Sequence, residues 1–309
     1  MLERPTIGIH VPGASTTGLP DGRTYAAFCR EAESLGFDAL WTEDRLFHAA
    51  HVADSLTLLT WAAANTERML LGTAVALLNL RSAPLLARQV STLSHLSGDR
   101  IVLGLSIGGS PEEYRALRVP FDRRVGVFRD GLEVLRTLLR GEAVDHAGPH
   151  FQLESASVRP GATVPILIGG GADAAIRRAG ALGDGWIMGP FGDLDDFRRG
   201  WELARTGAVE AGRDPNALTS GRLLYVAVDE DRDRARRELT TFLHGYYGPR
   251  FDVDQQAIFG SAAEVAERIT EQREGGIQHL MLGLPTLDLE HLHRLAAAVL
   301  AQVGAPNSA

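Results

Sequence analysis

Two short stretches of the chain bring together residue types that can do chemistry. The first is Thr42-Glu43-Asp44-Arg45-Leu46-Phe47-His48-Ala49-Ala50-His51, with two carboxylates, an arginine and two histidines directly after the apolar run Ala39-Leu40-Trp41. That density suits a polar ligand or proton handling, and it makes Glu43, Asp44 and His48, with His10, the candidates for proton transfer. Glu43 and Asp44 can alternatively pair Arg45, and His48 and His51, three apart, can share a metal. The second stretch is Ile168-Gly169-Gly170-Gly171-Ala172-Asp173, where three glycines separate an apolar run from a helical one. Such a turn lets backbone approach a ligand closely, and the helix start that follows offers free N–H groups to an anion. Ser106-Ile107-Gly108-Gly109-Ser110 is a second turn of the same kind. Neither has the G-x-G-x-x-G spacing of a dinucleotide fingerprint.

Composition sharpens that reading. All 31 basic residues of the 309-residue chain are arginine. The absence of lysine excludes Schiff-base aldolases, pyridoxal phosphate enzymes, Walker-type loops and kinases. Any phosphate therefore rests on backbone N–H groups, hydroxyls or arginine.

The elements that must position these residues alternate from end to end. Apolar strands are expected at 6–11, 39–42, 70–76, 100–105, 165–168, 185–188, 223–228 and 277–282, with helices between them and a closing helix over 289–303. Near-continuous apolar strands indicate a parallel sheet covered on both faces. Eight units without a change in composition predict one (β/α)8 TIM barrel over 1–309, with functional insertions at 141–164 and 245–260. A doubly wound open sheet is the alternative. In such a barrel the loops after the strand C-termini carry the site, and both chemistry-bearing stretches fall there.

A net charge of −8 argues against nucleic acid, which needs a concentrated basic face. The single cysteine, Cys29, sits in a helical pattern and reads as a packed thiol. Met1 to Pro5 lacks a secretion-signal profile, and no window approaches 18 uninterrupted apolar residues. The expectation is a cytoplasmic protein without a membrane segment.

Taken in order, Leu71-Gly72-Thr73-Ala74-Val75, Arg81-Ser82-Ala83-Pro84 through Gln89, Thr92 to Arg100, Leu103 to Gly108, Pro165 to Gly171 and Gly183-Asp184-Gly185-Trp186 resemble the bacterial luciferase-like flavin and deazaflavin oxidoreductases over nearly the whole chain. The resemblance implies a TIM-barrel oxidoreductase of the monooxygenase type that uses coenzyme F420 or FMN on a small organic substrate, as a homodimer. It implies a non-prolyl cis peptide between Ala74 and Val75, backing the cofactor ring next to Thr73. Ser106, Gly108 and Gly109, with Gly169, Gly170, Gly171 and Ala172, would surround the cofactor phosphate, and Asp44 would lie near the ring. Two departures stand out. Arg45 replaces the histidine that usually follows that aspartate. The glucose-6-phosphate dehydrogenase branch has glutamate and lysine where this chain has Gly109 and Gly192, so the resemblance does not extend to that substrate. The alternative readings are a metal-dependent barrel hydrolase using His10, His48 and His51, against which the missing histidine pattern around Ile9-His10-Val11-Pro12 speaks, and a flavin-binding protein without turnover.

Overall fold

The computed structural model describes residues 4–300. Eight strands form the barrel: β1 (Thr6–His10), β2 (Ala39–Thr42), β3 (Leu70–Thr73), β4 (Ile101–Ser106), β5 (Ile166–Gly169), β6 (Gly185–Met188), β7 (Thr219–Val228) and β8 (His279–Gly283). Each pairs in parallel with the next, and β8 pairs with β1, Thr6 opposite His279, which closes the sheet. The open-sheet alternative is thereby ruled out. Closure leaves the eight barrel strands without an edge.

Helices fill the connections, and their ends follow local chemistry. Asp21 caps Gly22–Leu35 by accepting from Thr24 N, and Gly36 ends it in the left-handed region at φ 100°. Asp193 and Asp196 form a capping box at the start of Leu194–Glu210, so these acids cap a helix. The closing helix runs Leu289–Val299, and positions 301–303 of the expected helix lie outside the described residues.

The core has two layers. Inside the barrel, Trp41, Val102, Leu167, Ile187, Leu223, Tyr225 and Met281 pack together, and a second apolar layer lies between strands and helices. Trp41 is fully buried, and its indole fits because β1 and β3 carry glycine beside it. A Cβ on Gly8 would come within 2.5 Å of its Nε1, and one on Gly72 would overlap its six-membered ring. Burying an indole of this size contributes about 5 kcal/mol as an upper estimate. Cys29 is buried, which pushes its thiol up to about 12 and makes it inert.

Three expectations change. The expected strand over 70–76 ends at Thr73, and Ala76–Leu77 forms a separate short strand beside β4, after a cis bond between Ala74 and Val75. The helix after β7 runs Arg232–Tyr247, so part of the expected 245–260 insertion is helical and the rest is a short helix and a strand, Ala257–Gly260, added to β7. The 141–164 segment is an antiparallel hairpin, Val144–Ala147 with Gln152–Ala156. It lies against the helix Arg124–Leu139, because Asp130 binds His146 Nε2 at 2.7 Å and accepts from the backbone N–H groups of His150 and Phe151 at 2.7 and 2.9 Å.

Candidate functional site

A cavity of about 690 Å³ opens at the C-terminal ends of the strands. One side is formed by Ala74, Val75 and Leu77 after β3 and by Ser106, Ile107 and Gly108 after β4. The next side is Gly169, Gly170, Gly171 and Ala172 after β5, and the far side comes from Glu43, Asp44 and Arg45 after β2 with Tyr246 and Tyr247 over them. The hairpin 141–164 contributes nothing to this wall, which corrects its expected role in shaping the site. An αβ connection leaves the opposite end of the barrel, and the anchors on Asp130 hold this one against a helix.

The glycine turn after β5 is held from behind. Trp186 Nε1 donates to Gly170 O at 2.9 Å, and the indole stacks on Phe197. A Cβ on Gly169 would press on Val75 at 3.0 Å, so this turn and the Ala74–Val75 bond are closely packed. A Cβ on Gly171 would meet nothing within 4 Å, which shows that the turn faces open space. Arg178, in the helix Asp173–Leu182, also lines the cavity. Its Nε is buried without a partner, and burial together with nearby Arg129 lowers its pKa. Among the described residues neither Arg178 nor Arg129 forms a hydrogen bond or an ion pair. An anion placed beside Arg178 would be favoured by both positive charges.

The polar stretch after β2 is divided by function. Asp44 is buried and accepts from Leu77 N at 3.1 Å and from Arg81 Nε and Nη2 at 3.0 and 2.7 Å; Arg81 also reaches Asp54 at 2.6 Å. Asp44 thus pairs Arg81, 37 residues on, and not its neighbour Arg45. Glu43 lines the cavity. His10 lies behind it at the end of β1, with its Nε2 3.1 Å from Glu43 Oε2 but not aligned for a hydrogen bond. Burial pushes the Glu43 carboxyl up to about 7 and the His10 imidazole down to about 4. Near neutral pH the pair is a neutral histidine beside a carboxyl that exchanges its proton readily.

Other candidates fall elsewhere. The Thr73 hydroxyl donates to Gly104 O inside the barrel at 2.6 Å and is not on the cavity wall. Gly109 faces Leu80 and Tyr114, away from it. His48 stacks on Tyr246 with ring centroids 4.5 Å apart, and His51 pairs with Ser15 in a two-stranded ribbon. His10, His48 and His51 therefore do not converge. Among the described residues the one cluster with metal-ligand spacing is Asp130, Glu133 and His146, where Asp130 is already taken up by the hairpin.

Arg81, Arg178, Trp186 and Tyr225 were not singled out from the sequence as site residues. Arg178 carried a usable signal: an arginine seven residues after Gly171, in a chain whose phosphate contacts must use arginine.

The chain matches the family model described as luciferase-like monooxygenase over residues 6–279. It is 29% identical over 222 residues to a 5,10-methylenetetrahydromethanopterin reductase of Archaeoglobus fulgidus, covering 71% of this chain and 65% of that protein. It is 32% identical over 218 residues to an F420-dependent glucose-6-phosphate dehydrogenase of Nakamurella multipartita, covering 67% and 64%. The match thus spans less than two thirds of the length of these curated relatives. An F420-dependent secondary alcohol dehydrogenase solved with an F420–acetone adduct superposes with a TM-score of 0.85 at 19% identity, over 96% of this chain and 99% of that one. A type II Baeyer–Villiger monooxygenase component from Pseudomonas putida, in complex with FMN, superposes at 0.79 and 18%, over 98% and 100%. At these identities the likeness is one of fold.

Proposed function

The chain belongs to the luciferase-like monooxygenase family, and from that premise we propose that it is an oxidoreductase that binds coenzyme F420 or FMN and acts on a small organic substrate. The observation that carries this reading is the joining, in one cavity, of a flat apolar wall to an anion seat. Ala74, Val75 and Ile107 offer the ring a face without polar side-chain atoms. Gly169 to Ala172, Ser106 and Gly108 offer the phosphate backbone N–H groups, a hydroxyl and a helix N-terminus, and Arg178 supplies the charge. The residues present therefore fit a phosphorylated tricyclic ring, and they fit it without lysine.

Bound there, such a ring supplies hydride transfer or, as reduced FMN, the activation of oxygen. The protein's share is binding, orientation and proton handling. In this reading Glu43 gives a proton to the substrate or takes one from it, because its raised pKa keeps both forms populated near neutrality. His10 stays neutral and packs behind it. Asp44 acts through Arg81, holding the Leu77 segment and the loop after β2 in place. His48 packs Tyr246 toward the cavity, and Thr73 and Gly109 shape the strand ends from outside it.

The test is a titration of purified protein with FMN and with F420, oxidised and reduced, followed by absorbance and fluorescence. Saturable binding of one of them is expected, and binding of neither overturns the reading. The proposal extends to a single barrel domain over 1–309, a cytoplasmic location and a homodimer. The dimer rests on Trp61, Leu85 and Leu96, apolar and exposed on the helices Ser55–Ala63 and Ala83–Ser97; light scattering at the monomer mass would remove it. Among the described residues no helix is long and apolar enough to cross a membrane.

A further inference from the structure

Arg45 is a second cation on the cavity wall without an ion-pair partner among the described residues, and it lies across the barrel from the glycine turn. It follows β2, whereas the turn follows β5, with β3 and β4 between them on one side of the closed sheet. Every carboxylate near it is committed elsewhere. Asp44 is held by Arg81. Glu113 accepts from Leu46 N and Phe47 N at 3.0 Å each and from Ser110 N at 2.6 Å. Glu43 is buried beside His10 and holds its proton up to about pH 7. The neighbours left to the guanidinium are the phenols of Tyr246 and Tyr247. No carboxylate lies within ion-pair distance of Arg45 among the described residues.

The wall around Arg45 is aromatic. Tyr247 OH meets Tyr225 OH at 3.1 Å, Tyr246 and Tyr247 pack edge to face, and Phe191 packs against Tyr247. Phe191 lines the cavity yet is 52% exposed, an apolar ring held at the rim without a covering partner. A cation held only by a neutral phenol among aromatic rings, at the end of the cavity away from the phosphate seat, selects a ligand with one flat apolar part and one negative charge.

We propose that Arg45 is a specificity-determining residue and that the substrate is an aromatic or similarly flat apolar molecule carrying a carboxylate or equivalent anionic group, which Arg45 pairs at the mouth of the cavity. This rests on the oxidoreductase reading for the word substrate, but the binding itself is measurable without turnover. The probes are 3-phenylpropionate and its neutral isostere 3-phenylpropionamide, titrated calorimetrically into the protein with and without saturating cofactor. Cofactor binding is read separately from ring fluorescence. The acid is expected to bind at least tenfold tighter than the amide. Arg45→Gln should remove that preference while leaving ring affinity unchanged, and Arg178→Gln should leave the preference intact. Equal affinity for acid and amide overturns the proposal, as does a preference that survives Arg45→Gln or disappears in Arg178→Gln. Loss of ring affinity in Arg45→Gln would assign Arg45 to the cofactor and overturn it too. Failure of the wild-type protein to bind either ring would instead undo the oxidoreductase reading, with the acid preference still deciding the role of Arg45.

Discussion

A carboxyl withdrawn from water keeps its proton to higher pH, and Glu43 shows how far that carries a residue that in sequence is one of two adjacent acids. Asp44, its neighbour, is more fully buried but has a bidentate arginine, so the two acids serve different ends. With cofactor bound, the rate of substrate oxidation or reduction is expected to show a pH limb near 7. Glu43→Gln should lose that limb and fall by roughly 10²-fold in kcat, with ring affinity retained. A limb that persists in the variant would move the proton to another group. Gly171 gives a second residue-scale prediction. Because a Cβ there meets nothing within 4 Å, Gly171→Ala and Gly171→Asp should both fold normally. The aspartate places a negative charge at the phosphate seat and should weaken FMN binding by at least 100-fold, while riboflavin, which lacks the phosphate, loses much less. Equal losses for both ligands would take the phosphate away from this turn.

Elements, rather than single residues, explain why the two insertions behave differently. Both are legible in the sequence as interruptions of the strand and helix rhythm, and composition alone cannot say which end of the barrel each one faces. The segment 245–260 extends a helix that starts on the site side of β7, so Tyr246 and Tyr247 reach the cavity. The segment 141–164 precedes β5 and is anchored by one buried carboxylate, Asp130, to His146 and two backbone N–H groups. Asp130→Ala should cost about 2–4 kcal/mol, measured by denaturant unfolding, since it leaves those buried donors unpaired. Cofactor affinity should not change. A variant of wild-type stability would mean that the hairpin holds itself in place.

At the scale of the whole molecule, closure of the barrel buries two histidines that exposure would leave titrating near pH 6.5. His279, on β8, lies between Thr6 Oγ1 and Thr219 Oγ1 at 2.9 and 2.6 Å, and burial lowers it to about 4, as it does His10. Between pH 6.5 and 4 the unfolded chain binds more protons at these sites than the folded one, so the stability they contribute is present above 6.5 and lost on acidification, each by up to about 3 kcal/mol. Glu43 acts in the opposite sense, because its folded pKa is raised from 4.5 to about 7: its contribution is present at low pH and lost as pH rises through that window. The melting temperature should therefore drop between pH 6.5 and 4.5, and in Glu43→Gln it should drop more steeply. A melting temperature flat over that range would show that these groups are more solvated than their burial implies.

Periodic apolar runs determine the order and type of the elements, and the glycine turns with the absence of lysine point to where a phosphate would rest and to backbone N–H groups, hydroxyls or arginine as what would hold it. These are local properties, since strand pattern, turn chemistry and composition are read from neighbours in sequence. The pairing of Asp44 with Arg81, the meeting of His10 with Glu43, the place of Arg178 on the wall of the same cavity as the turn after β5 and the lack of an ion pair for Arg45 were decided only in three dimensions. Charge, burial and hydrogen bonding depend on what closes around a side chain, and in a closed barrel those neighbours come from strands far apart in the chain.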